Sequence, residues 1–241
     1  MADKPTHRLV KKPRINARYL ADYMAASERA RRTLVRGCKF RPIARIIQHD
    51  RAKNAISRYF LAGAASCDKL THEMERLRGM MADTDFERDV LDNNADYIAA
   101  FVGSYENVRM PDADLYRDDR IGDIMLRGVA VNPDVRFSLR RTTRTNKIKT
   151  GLATFRYAKG KAVSAEVAAW QSAFLFGYRG ILDIGSEAEP EAKLCLTIDA
   201  MAGVVYVAPG DALSRFRNME AACESIAERW DSIEPPEGAM L

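Results

Sequence analysis

Apolar positions recur at helical spacing through the first hundred residues and at alternating spacing afterwards. Asn16 reads as an N-cap for a helix over 17–34, with Tyr19, Leu20, Tyr23 and Met24 on one face and Gly37 beyond its end. The segment "FRPIARIIQHD" reads as irregular or briefly extended around Pro42. Asp50 then caps a helix through Ala55, Ile56, Tyr59 and Phe60 to Gly63. From Ser66 to about Val102 the series Leu70, Met74, Leu77, Met81, Phe86, Val90, Leu91, Tyr97, Ile98, Phe101 predicts one long helix or two, with the break at Asp83-Thr84. Met80 and Met81 read as core filler.

The period changes after 111–119, an acidic, turn-like stretch. Residues 121–131 read as a strand, 135–141 as a second and 147–157 as a third, with "TTRTN" turning between the last two. In the second strand Val135, Phe137 and Leu139 face one way and Arg136, Ser138 and Arg140 the other. Ser164 caps a helix whose stripe is Val167, Trp170, Phe174 and Tyr178, left through Gly180 and Gly185, and Trp170, Phe174 and Phe176 read as core. "KLCLTID" and "GVVYVAP" form a hairpin across Ala200, Met201 and Ala202. Asp211 opens a last helix to Trp230 through Leu213, Phe216, Met219 and Ile226, and the tail "EPPEGAML" reads as loose. The expected class is α+β: a helical N-terminal region over 1–65, an α/β core over 66–232 and a flexible tail over 233–241.

With 241 residues and 47% hydrophobic content, the chain can bury a sizeable core. Its apolar runs fall short of the roughly 20 residues that cross a bilayer, and "MADKPTHRLVKKPR" has no hydrophobic signal core, so a cytoplasmic protein without a membrane partner is expected. Cys38, Cys67, Cys195 and Cys223 show no paired spacing and read as buried free thiols. His7, His49 and His72 make no clustered ligand set.

Charge changes the picture more. The net charge is +5, yet no acidic residue occurs from Val135 to Ala165, where Arg136, Arg140, Arg141, Arg144, Lys147, Lys149, Arg156, Lys159 and Lys161 supply nine positive charges. The other 29 basic residues face 33 acidic ones, so this segment carries more than the whole excess. A second basic run extends from Arg29 through Arg31, Arg32, Arg36, Lys39 and Arg41 to Arg45. Two such runs suggest a polyanionic partner.

The order α-β-β-β-α-β-β-α, with Pro133-Asp134 at the head of the second strand, resembles the core of the PD-(D/E)XK nuclease superfamily over roughly 66–209. The resemblance implies a nuclease-like αβββαββα mixed sheet, Asp134 as a magnesium ligand and catalytic group, and Gln171 followed by Tyr178 on the helix after the third strand. Glu166 is a candidate migrated ligand. Where the superfamily carries E-x-K, the third strand reads Thr154-Phe155-Arg156, and a hydroxyl is a poor substitute for a carboxylate on magnesium. The expectation is a nucleic-acid-binding protein, DNA rather than RNA, on a catalytically degenerate or very divergent nuclease core. Arg136, Arg140, Arg141, Arg144, Lys147, Lys149, Arg156 and Lys159 are the expected phosphate contacts. The alternative is a non-catalytic interaction or scaffold protein that docks a partner through its N-terminal helices.

Overall fold

A computed structural model describes residues 5–43, 49–64 and 66–241; Arg45, the end of the second basic run, lies outside them. The chain opens with strands β1 (His7–Leu9) and β2 (Arg14–Asn16), helices α1 (Ala17–Ala25) and α2 (Glu28–Lys39), and strand β3 (Phe40–Pro42), which pairs with β1. Three helices follow: α3 (Asp50–Leu61), α4 (Asp68–Gly79) and α5 (Asp85–Ser104). Then come β4 (Asp114–Tyr116), β5 (Ile124–Leu126), β6 (Val129–Asn132), β7 (Phe137–Thr142) and β8 (Ile148–Arg156). The chain closes with α6 (Ala165–Leu182), β9 (Ala188–Pro190), β10 (Leu196–Asp199), β11 (Val204–Val207) and α7 (Ala212–Arg229).

The α+β class holds. The main sheet runs β11-β10-β8-β7-β4, with β9 beside β8. The pairings β4–β7, β7–β8 and β10–β11 are antiparallel, and β8–β10 is parallel across the α6 crossover. The αβββαββα order is met by α5, β4, β7, β8, α6, β10, β11 and α7. Its first strand, however, is β4, inside the stretch expected as an acidic turn. Residues 121–131 instead hold the β5–β6 hairpin, whose β6 pairs parallel with β2 in a separate three-stranded sheet. Arg127 (φ 44°) and Gly128 (φ 86°) both occupy the left-handed region at its two-residue turn, as a type I′ turn requires.

The helix expected over 17–34 is two. The backbone leaves the helical region at Ala26 and Ser27, and Ser27 Oγ accepts the Ala30 N–H at 3.5 Å to start α2, which runs through Gly37. The break expected at Asp83-Thr84 falls there, with Thr84 Oγ1 accepting the Glu87 N–H at 3.2 Å. Met81 is 92% exposed and Leu213 is exposed, so neither is core. Each lies at a helix margin, where periodicity alone does not fix the buried face.

The main sheet separates two apolar cores. On one face Phe137, Leu139, Ala153 and Phe155 meet α3, α4 and α5; on the other Leu152 meets α1, α6 and α7. Residues of 1–65 enter both: Ile56 and Phe60 the first, Leu20 and Val35 the second. Phe60 packs 5.4 Å from Phe137 and 6.1 Å from Phe155, measured between ring centres. At the chain ends, Thr6 and His7 donate backbone hydrogen bonds to the Met240 carbonyl. Among the described residues no helix is long and apolar enough to cross a membrane.

Candidate functional site

Asp134 sits at the turn between β6 and β7. Its backbone is left-handed (φ 50°), a conformation that Asp tolerates better than most residues, and its N–H is held at 3.1 Å by Asn132 Oδ1. The turn places the carboxylate against two cations: Lys53 Nζ of α3 at 2.8 Å, and the Arg136 guanidinium two residues on. All three side chains are nearly buried. Arg136 also faces Asp50 at 3.7 Å. Burial pulls the Lys53 ammonium below its ordinary range and Asp134 opposes the shift.

The next strand closes the corner from the other side. Thr154, at the position of the expected second carboxylate, donates its hydroxyl to the Asp134 main-chain oxygen at 2.8 Å. Arg156, one pleat further on the same face, is buried, pairs with Asp22 of α1 and donates to the Arg18 carbonyl at 3.3 Å. Magnesium does not fit this donor set: the one carboxylate is held by two cations and its neighbour is a committed hydroxyl. Among the described residues no group of three or more His, Cys, Asp or Glu side chains could hold a metal ion.

An aromatic wall lies beside the corner. Tyr97 of α5 stacks on Tyr157 at 4.1 Å, and His49 meets both rings edge-on at 5.5 and 5.4 Å. Burial raises the Tyr97 phenol far above its usual range. Burial, with Lys53 and Arg18 nearby, lowers His49. Arg18 Nε, Arg136 Nε, His49 Nδ1 and the Tyr97 hydroxyl are all buried without a hydrogen-bond partner among the described residues. Most buried polar groups in folded proteins are satisfied, so their convergence marks this corner.

Glu166 and Gln171 do not join Asp134 through any hydrogen bond or ion pair among the described residues. Glu166 is exposed, accepting from Trp170 Nε1 at 2.7 Å and from Arg215 at 3.1 Å. Gln171 is fully buried, and neither end of its amide has a partner. Tyr178 exchanges hydrogen bonds with the Gly122 backbone at 2.9 and 3.0 Å and stacks on Phe174, a structural role.

The basic window divides. Arg136, Arg141, Lys149, Arg156 and Lys159 are paired, to Asp134, Glu191, Glu189, Asp22 and Asp96 respectively. Carboxylates from outside the window thus neutralise most of the run. Arg140, Arg144 and Lys147 are exposed and carry no ion pair among the described residues. Arg140 and Arg141 point to opposite faces of the sheet.

Sequence reasoning missed Lys53, Arg18, Asp22, Tyr97, Tyr157 and His49. They come from five separate elements or connections, and no spacing marks them. Burial pushes the thiols of Cys38, Cys195 and Cys223 up to about 11, 12 and 12, as inert core cysteines. No protein-family model matches the chain, and no curated protein matches it significantly.

Proposed function

We propose that this chain binds nucleic acid, DNA in preference to RNA, through phosphate contacts, on a PD-(D/E)XK-like core that has lost metal-dependent hydrolysis. The observation that carries the reading is the Asp134 corner. Where the resemblance calls for a carboxylate cage around magnesium, Lys53 and Arg136 bind the carboxylate directly and Thr154-x-Arg156 stands in for E-x-K. Exchanging a divalent cation for fixed cations bound to the carboxylate removes the means of activating water, which leaves phosphate contact to the exposed hairpin cations. The order of the main sheet and the unpaired Arg140, Arg144 and Lys147 support the same reading.

Binding is tested by titrating a labelled duplex at several salt concentrations. If the three unpaired hairpin cations engage phosphates, the log-log slope is about −2.7. Replacing Arg144 and Lys147 together by alanine flattens it by about 1.8, with little change in sequence preference. Undetectable binding at low salt refutes the reading. That result favours the alternative, docking of a protein partner through α2, whose exposed Arg29, Arg32 and Arg36 form a basic face.

A further inference from the structure

A cleft of about 290 Å³ opens beside the Asp134 corner, at the carboxyl ends of the parallel strands β8 and β10, where ligands commonly bind in α/β sheets. Arg18, Arg156, Lys161 and Ser164 line it. The Arg18 and Lys161 side chains carry no ion pair or hydrogen bond among the described residues, so two cations without a carboxylate partner flank one small cavity, Arg18 also lying over the Tyr19 ring.

Ser164 is the N-cap of α6, an 18-residue helix whose positive end therefore faces the cleft. Glu166 is the only acidic residue of the first turn, and it is drawn off to Trp170 and Arg215, so no carboxylate of the first turn neutralises that end. Two carboxylates also line the cleft, and both are engaged. Asp22 is held by Arg156, and Asp199 accepts the N–H groups of Val163, Met201 and Ala202 at 2.7, 2.8 and 3.2 Å.

Tyr157 closes the wall of the cleft and is backed by Tyr97, on which it stacks at 4.1 Å. The Arg18 guanidinium, the Lys161 ammonium and the positive end of α6 all face one cavity, and their common complement is a compact anion. The volume is at the small end of ligand cavities, which commonly span roughly 300–1,000 Å³, and suits one phosphate with part of its sugar rather than a run of nucleotides.

We propose that this cleft receives a phosphomonoester group, the terminal phosphate of a nucleic-acid strand or of a free nucleotide, between Arg18, Lys161 and the α6 N-terminus. The inference deepens the nucleic-acid reading and rests on it for the strand as source. The two can fail separately, because Arg144 and Lys147 lie at the other end of β8, roughly 30 Å away by strand rise.

The experiment measures fluorescence anisotropy on single strands bearing a 5′-phosphate, a 3′-phosphate or only hydroxyl ends, with adenosine monophosphate and inorganic phosphate as competitors. One phosphorylated end binds at least about tenfold more tightly than the hydroxyl end. Lys161→Ala and Arg18→Gln each cut that advantage below threefold, and millimolar phosphate raises the melting temperature of the native protein more than that of either variant. If Arg18→Gln does not fold, exposed Lys161 carries the test.

Equal affinity for all ends, with no stabilisation by phosphate or nucleotide, overturns the inference. Strand binding that still depends on Arg144 and Lys147 would leave the nucleic-acid reading standing. Conversely, a nucleotide that binds and loses affinity in Lys161→Ala, while no strand binds, upholds the cleft with the free nucleotide as its source and overturns the nucleic-acid reading.

Discussion

Lys53 and Asp134, 81 residues apart in sequence, meet at 2.8 Å with side chains only 12% and 11% exposed. Removing one partner of such a pair leaves the other charge without compensation. For Asp134→Ala both Lys53 and Arg136 are stranded, and about 3 kcal/mol of stability should be lost. The double variant Lys53→Met/Asp134→Asn, which keeps a residue suited to the left-handed backbone, should recover only the Lys53 part, because Arg136 stays stranded. Urea denaturation of the single and double variants measures both, and an Asp134→Ala protein as stable as the native chain would show that the pair is not a structural element.

Magnesium should neither activate nor stabilise this protein. With Asp134 bound by two cations and Thr154 bound to its backbone, incubation of linear, nicked or single-stranded DNA with magnesium should give no cleavage. The melting temperature in millimolar magnesium chloride should equal that in sodium chloride of matched ionic strength, since a ligand that binds only the folded state must raise it. Cleavage abolished by Asp134→Ala would mean that the corner opens to admit metal.

His49 gives stability a defined pH dependence. Burial, then Lys53 and Arg18, hold its folded-state pKa below 6.5. A base depressed in the fold binds fewer protons there than in the unfolded chain. Its contribution is therefore fully present above about pH 6.5 and is lost as the pH falls from there towards the folded value. His49→Gln should flatten the decline between pH 7 and 5 relative to the native protein, measured by urea midpoints at each pH; parallel curves would refute the assignment.

Gly151 lies in the middle of β8, and a β-carbon there would stand 2.1 Å from the Leu194 carbonyl oxygen, which is backbone and cannot swing aside. Gly151→Ala should therefore cost about 1–3 kcal/mol by overpacking, although alanine otherwise suits a strand better than glycine. Thermal denaturation decides it, and a neutral result would show that the Leu194 segment relaxes freely.

Much of the fold was legible because its causes are local. Ser164 capping α6, the break at Thr84, and the alternation of Phe137 and Leu139 against Ser138 and Arg140 are properties of residues one to four positions apart. The two left-handed residues Arg127 and Gly128 were a local signal too, but a short one. They turned a single expected strand into a hairpin, and β6 took β2 as its parallel partner, Asn16 and Asn132 meeting across 116 positions.

The sequence by itself determined most of the helices, the alternation of β7 and β8 and the absence of a carboxylate at Thr154, since periodicity, capping and residue identity are written along one line. Only the tertiary structure decided what the charges do. Arg141, Lys149, Arg156 and Lys159 belong to a run without acids, yet each finds a carboxylate, on Glu191, Glu189, Asp22 and Asp96. Asp134, read as a metal ligand, is enclosed by Lys53 and Arg136. Coulomb attraction depends on distance in space, and the packing of α1, α3 and α5 on the main sheet, with β9 beside β8, sets those distances without leaving any trace in local spacing.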